Sequence, residues 1–154
     1  MLPQTARGHQ GPLALQFSVF LANRVGQLKE LLNTFSSRSV KVLGLSIVDS
    51  TDWAVVRVVF SDAEKGREIL KGHSVPFTES EVILAELGGD HALVDISMLL
   101  LGAEINLHFA YLLMIRRHGN PVIVLHVDDP VIACQVLLKH GVGLVAEGEL
   151  EESL

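Results

Sequence analysis

The sequence predicts an α+β fold made twice over, each half running strand, helix, strand, strand, helix, strand, with antiparallel sheets and helices on one face. Three observations predict it. Matching positions keep a near-constant offset: adding 65 takes Leu28 to Leu93, Leu31 to Ile96, Phe35 to Leu100, Val40 to Ile105 and Val42 to Leu107. Adding 67 takes Asp62 to Asp129, Ile69 to Val136, Leu70 to Leu137 and Val75 to Val142. The slip of two falls in the central hairpin, where a loop absorbs insertions most cheaply. Apolar residues alternate with period two in some segments and recur at i, i+3 and i+4 in others, the marks of strands and helices. Finally, 154 residues accommodate two small lobes. The expected organisation is a flexible tail over 1–12, a first lobe over 13–83 and a second over 84–150.

Leu13, Leu15, Phe17, Val19 and Leu21 alternate with smaller or polar residues, a strand with one buried face. Asn23 is placed as the N-cap of a helix whose stripe is Leu28, Leu31, Leu32 and Phe35, and which dissolves in Ser36-Ser37-Arg38-Ser39. Val40 to Val48 and Trp53 to Phe60 form a hairpin about Asp49-Ser50-Thr51-Asp52, residues that bind their own backbone in turns. Asp62 caps the next helix, which gives way at Gly72-His73-Ser74. Pro76 to Leu87 closes one sheet and opens the next.

The second lobe repeats this with a helix over His91 to Leu101, a strand over Ala103 to Ile115, a turn at His118-Gly119-Asn120-Pro121 and a strand over Val122 to Val127. Asp128 or Asp129 caps a helix that opens on Pro130, a residue tolerated in the first turn. Val142 to Ala146 is the last strand, and the acidic end from Glu147 to Leu154 is expected to fray. Odd positions from Ile105 to Ile115 are apolar throughout, and Ala110, Leu112 and Met114 add a second apolar face, which implies a second covering layer.

Composition narrows the function classes. With 49% apolar and 19% charged residues and a mean hydropathy of +0.39, the chain carries surplus apolar surface, and an extended interface such as a homodimer accounts for it. Net charge is −6, and Arg116–Arg117 is the only basic doublet, read as a solvated edge, so nucleic-acid binding is disfavoured. Cys134 is the single cysteine; set between Ala133 and Val136 in a helix, it reads as a buried inert thiol. Residues 1–12 lack the apolar core of an export signal, and Leu13 to Ala22 is too short to span a bilayer, so a cytoplasmic location and no membrane partner are expected.

The doubled strand–helix–strand–strand–helix–strand order is ferredoxin-like, a topology that hosts many functions. Particular residues narrow it. Phe20-Leu21-Ala22-Asn23-Arg24-Val25-Gly26-Gln27-Leu28 resembles the signature of the ACT domain, a small regulatory module that binds amino acids. Ala103-Glu104-Ile105-Asn106-Leu107 resembles that family's second-strand motif, and Leu125-His126-Val127-Asp128-Asp129-Pro130 its entry to the second helix. The passage from Leu45 to Trp53 and the tail Glu147 to Leu150 are similar to those of stand-alone tandem ACT proteins. The resemblance covers Leu13 to Leu150.

It implies a ligand, an amino acid, at an interface between two modules, gripped by the start of the first helix. That position suits a carboxylate, because helix N-termini carry unpaired N–H groups and partial positive charge, and a glycine there admits close approach. Carried over, the ligand-binding residues are Asn23, Arg24, Val25, Gly26, Gln27 and Leu28, with Asn106 from the second-strand motif. Val25 stands where the family prefers proline. The second copy, Leu87-Gly88-Gly89-Asp90-His91-Ala92-Leu93, is one residue shorter and acidic, so it is expected to bind nothing or to bind differently. Lys41 takes the place of Asn106 in the first lobe, so the two lobes are expected to share one composite site.

Against an enzyme, there is no hydrolase elbow, phosphate loop or Cys-x-x-Cys, and no cofactor is expected. His108 and His126 share a face of neighbouring strands, but two histidines without a third ligand make a weak metal site. Arg57, in an apolar strand, is expected to pair with Glu79 or Glu81. The implied function is a ligand-responsive regulator of a partner enzyme. The alternatives are a ligand-free interaction subunit or a regulatory subunit of an acetolactate-synthase-like enzyme.

Overall fold

The structure is a computed structural model that describes residues 12–22 and 26–150. Its elements follow the expected order: β1 (Leu13–Ala22), α1 (Gln27–Ser37), β2 (Val42–Asp49), β3 (Trp53–Phe60), α2 (Ala63–Gly72) and β4 (Phe77–Glu86), then α3 (Ala92–Gly102), β5 (Leu107–Arg117), β6 (Asn120–Val127) and α4 (Pro130–Lys139). Two units emerge. The first is Leu15–Ser80; the second takes the chain from Glu81 onward together with the described residues before Leu15. β4 therefore serves the first unit with its opening residues and the second with the rest.

In the first unit β3 pairs antiparallel with both β1 and β2, Val58 facing Phe17 on one side and Leu45 on the other. Alternation puts Phe17, Val19, Val56, Val58 and Phe60 on one face, where α1 and α2 cover them with Leu31, Phe35, Ile69 and Leu70. The α1 stripe is the one the spacing predicts. Phe60 is central, its ring centroid 5.1 Å from that of Phe17 and 4.7 Å from that of Phe35. Gly66 of α2 makes room for it, since a Cβ there would stand 2.3 Å from the Phe60 ring. Asp62 caps α2 as expected, its carboxylate accepting from the Lys65 N–H at 3.2 Å. The expected single buried face of β1 is only half right: Ala14 and Gln16 are buried along with the odd positions.

The cap of α1 is a correction. Gly26, not Asn23, is the N-cap, in a left-handed conformation at φ 92° that glycine adopts freely. Asn23, Arg24 and Val25 lie outside the described residues.

The second unit repeats the plan. β6 pairs with β4 and β5, and the residue Leu144 bridges antiparallel to Ala85, flanked by Glu86 N–H to Gly143 O and Val145 N–H to Leu84 O, each 2.8 Å. The expected last strand is thus reduced to a bridge. Ile83, Ala85, Ile123, Leu125 and Val127 pack against Ile96, Leu100, Ala133 and Leu137 of the two helices. Leu13, at the head of β1, joins this core rather than the first. Asp129 caps α4, accepting from the Ile132 N–H at 3.1 Å.

Three further expectations change here. The strand expected from Ala103 begins at Leu107, because Glu104 takes φ 57° and the turn closes with Ile105 N–H on Leu100 O at 2.9 Å. A register shift then separates Leu107, paired with Val127, from Phe109, paired with His126. A bulge inserts one residue and so reverses which side chains face the helices. Leu107 shares the helix-packed side of Val127, while Phe109 and Tyr111 turn to the other, so the odd positions do not form one face. The hairpin is tighter than expected: His118 and Gly119 carry φ 51° and 78°, as a type I′ turn demands, and Asn120 and Pro121 are already strand.

The acidic end does not fray up to Leu150. It forms a 3-10 turn, Glu147–Glu149, because Leu150 is fully buried and anchors it, and Glu149 accepts from the Ala146 N–H at 3.0 Å. Arg117 pairs with Glu149, so only Arg116 of the doublet keeps to the exposed edge. Residues 151–154 lie outside the described residues.

The helix layers of the two units differ. α1 and α2 are amphipathic, whereas α3 is apolar nearly all round and leaves Leu93, Val94, Met98 and Leu101 exposed, Leu101 by 77%. Among the described residues no helix is long and apolar enough to cross a membrane.

Candidate functional site

Gly26, Gln27 and Leu28 stand at the start of α1, and the latter two line a pocket of about 240 Å³ within the first unit. Its other walls come from the end of β1 (Leu21, Ala22), the end of β2 (Ile47, Asp49) and the start of β3 (Ala54, Val56). The antiparallel register explains the gathering, since Leu21 pairs with Ala54 and Asp49 pairs with Ala54 from the opposite side.

Gly26 has no side chain to cap the helix, and the first intrahelical bond is Glu30 N–H to Gly26 O at 2.9 Å. The N–H groups of Gln27, Leu28 and Lys29 precede that bond, and a helix leaves such donors without intrahelical partners. The Gln27 side-chain oxygen Oε1 is buried and has no hydrogen-bond partner among the described residues. An orphaned buried acceptor costs about 1–3 kcal/mol unless something donates to it. The corner therefore offers donors from the backbone, acceptors from Gln27 and Asp49, and apolar walls from Leu21, Leu28, Ile47 and Val56. Sequence reasoning found Gln27 and Leu28 but missed Ala54 and, as a pocket residue, Asp49, read as turn chemistry first and a metal ligand second.

Asn106 lies elsewhere, in the second unit, on the turn before β5. Its N–H donates to Asp128 Oδ1 at 3.2 Å and its Nδ2 to Asp128 Oδ2 at 3.1 Å. The first unit has the same tie in different residues: the Lys41 N–H donates to Ser61 Oγ at 2.9 Å, and the Ser61 N–H to Lys41 O. Adding 65 to Lys41 and 67 to Ser61 gives Asn106 and Asp128, so the tie belongs to the repeat and not to one lobe.

A family model for paired ACT domains matches residues 13–154, nearly the whole chain. The chain belongs to the ACT domain pair family. No curated protein matches the sequence. Among solved structures, the ACT pair is similar to a protein from Bacteroides thetaiotaomicron, with TM-score 0.81 and 21% identity over 91% of this chain and 96% of that one. It is also similar in fold to the ligand-free regulatory subunit of aspartate kinase from Thermus thermophilus, with TM-score 0.57 and 7% identity over 84% and 93%. The corresponding subunit from Thermus flavus gives 0.53 and 10% over 82% and 95%.

Other reactive side chains of this ACT pair are accounted for locally. His108 and His126 do approach, with ring centroids 5.4 Å apart, and Phe109 stacks on His126 at 4.6 Å. No group of three or more metal-ligating side chains forms among the described residues. A pair missed from the sequence is Arg67 gripping Glu79 with two bonds of 2.8 and 2.6 Å.

Cys134 is buried in the second core, and burial, with Glu81 adding to it, pushes its thiol from 9.0 up to about 12. The thiol is the nucleophile only as thiolate. Folded protein at pH 8 is therefore expected to resist iodoacetamide and to react fully once unfolded in guanidinium, as mass spectrometry would read. The folded state holds its proton between the unfolded value of 9.0 and about 12, so this thiol's contribution to stability is complete below pH 9 and falls as pH rises above it. Prompt alkylation of the native protein would contradict this.

Proposed function

We propose that this ACT domain pair is a ligand-responsive regulatory protein that binds a free α-amino acid beside Gly26 and modulates a partner enzyme of amino-acid metabolism. The observation that carries the reading is that the start of α1, without a side-chain cap among the described residues, adjoins the pocket lined by Gln27, whose buried Oε1 has no partner among those residues. A zwitterion matches both: its carboxylate takes the backbone N–H groups, and its ammonium donates to Gln27 and Asp49. At about 240 Å³ the pocket lies below the usual range for drug-sized ligands, about 300–1,000 Å³, and suits a small aliphatic side chain. Asn23, Arg24 and Val25 complete the loop around the ligand in this reading. Asn106, its amide nitrogen on Asp128, supports its own turn. The protein works as a homodimer without catalysis of its own, and the ligand shifts the partner's equilibrium by binding its two states unequally. The fold neighbours described as regulatory subunits of aspartate kinase support an enzyme as that partner.

A thermal-shift screen over the twenty amino acids tests this. An aliphatic amino acid at 100 times its Kd is expected to add about 2.7 kcal/mol to native stability. Its carboxamide derivative, lacking the carboxylate, is expected to add far less. A flat screen, or equal effects of acid and amide, would overturn the reading. A flat screen would instead favour the interaction subunit without a ligand, a reading supported by the exposed apolar side of α3.

A further inference from the structure

The second unit contains a larger cleft of different chemistry. It has a volume of about 630 Å³, within the range of small-molecule sites. It opens between the loop after β4, one side of α3, and the segment that follows α4. Ile96, Leu99 and Val142 form an apolar wall, and the polar lining consists of Glu86, Asp95 and His140.

All three present acceptors. The Glu86 side chain is only 14% exposed and is set in place, accepting from His118 Nδ1 at 2.9 Å. Gly143 makes that placement feasible, because a Cβ there would come within 3.1 Å of the Glu86 carboxyl carbon. His140 Nδ1 lies 2.9 Å from Val136 O. A carbonyl oxygen only accepts, so Nδ1 carries the proton, and Nε2 of the neutral ring is left as an acceptor. No lysine or arginine is among the lining residues. A carboxylate ligand would meet repulsion from both acids, while a cation would meet two opposite charges beside a low-dielectric wall.

We infer that this cleft is a second ligand site, selective for a small alkylammonium whose charged head sits between Glu86 and Asp95 and whose hydrocarbon tail lies on Ile96, Leu99 and Val142. The site is chemically the reverse of the pocket beside Gly26, which leads with donors. It does not depend on the amino-acid reading of that pocket.

The test is a titration of the full chain, labelled with ¹⁵N, with n-butylammonium, n-butanol and butyrate in separate arms. Butylammonium is expected to shift the amide signals of Ala92, Gly141 and Gly143, and butanol and butyrate to leave them in place at the same concentration. Glu86→Gln is expected to weaken butylammonium at least tenfold. Asp95→Asn, at an exposed position that leaves the fold untouched, is expected to weaken it severalfold. Filling the cleft with Ala92→Trp, both acids kept, is expected to remove the shifts. Equal shifts from butanol, absence of shifts with butylammonium, or unchanged affinity in both Asp95→Asn and Glu86→Gln would overturn the inference.

Discussion

Gly66→Ala is expected to destabilise the first unit by about 1–3 kcal/mol, the usual cost of overpacking a filled core. Alanine alone would favour the helix by about 1 kcal/mol over glycine. The clash outweighs this, because the new methyl would stand 2.3–2.8 Å from three carbons of the Phe60 ring. The ring has no room to yield, with Phe17 and Phe35 against it. At about 4–8 °C per kcal/mol for a unit of this size, the melting point is expected to fall by about 5–20 °C. Trp53, the only tryptophan, lies half exposed at the start of β3 in the same unit and is expected to report the transition by fluorescence. Gly72→Ala is the control: it meets nothing within 4 Å, and it should leave stability unchanged or raise it slightly. A Gly66→Ala protein that melts with or above the wild type would refute the packing account.

The second large effect is expected at Gly26, on ligand binding. Its φ of 92° strains any side chain, though asparagine and aspartate tolerate left-handed backbone better than most residues. Space is not the obstacle, since a Cβ at Gly26 would meet nothing within 4 Å. Gly26→Asn and Gly26→Asp therefore share shape and strain and differ in charge. The aspartate would occupy the helix N–H groups with its own carboxylate and repel that of an amino acid, so binding is expected to weaken at least 100-fold, about 2.7 kcal/mol. The asparagine variant is expected to stay within about tenfold of wild type, or 1.4 kcal/mol. Calorimetric titration with the amino acid that raises the melting point most would measure both. Equal affinities for the two variants would mean that no carboxylate sits at this helix start.

What the sequence made legible was local. The caps at Asp62 and Asp129 each need only a carboxylate three residues before the N–H they receive, and the α1 stripe needs only its spacing. The repeat itself survived because matching core positions must fill matching space. What stayed hidden depended on distance along the chain. The tie between Asn106 and Asp128 joins residues 22 apart, and its counterpart uses a serine, so no shared residue type announced it. The bulge after Leu107 leaves the apolar alternation unchanged while reversing its faces. Leu150 sits in a run of acids whose charge outweighs one leucine in any composition argument, yet its burial orders the end of the chain. Of the expected binding loop, Gln27 and Leu28 reach the pocket, but the buried state of Gln27 Oε1 follows from packing that no spacing encodes.

Leu13 opens β1 and yet packs in one core with Ile83, Ile123 and Leu137, all from the far half of the polypeptide. A gene cut at the middle of the tandem would therefore leave the downstream fragment with a hole where that leucine belongs. During synthesis the same arrangement makes the head of β1 wait for the second unit before one of its side chains finds its place. Shuffling single modules of this kind between proteins would require carrying that short leading stretch along.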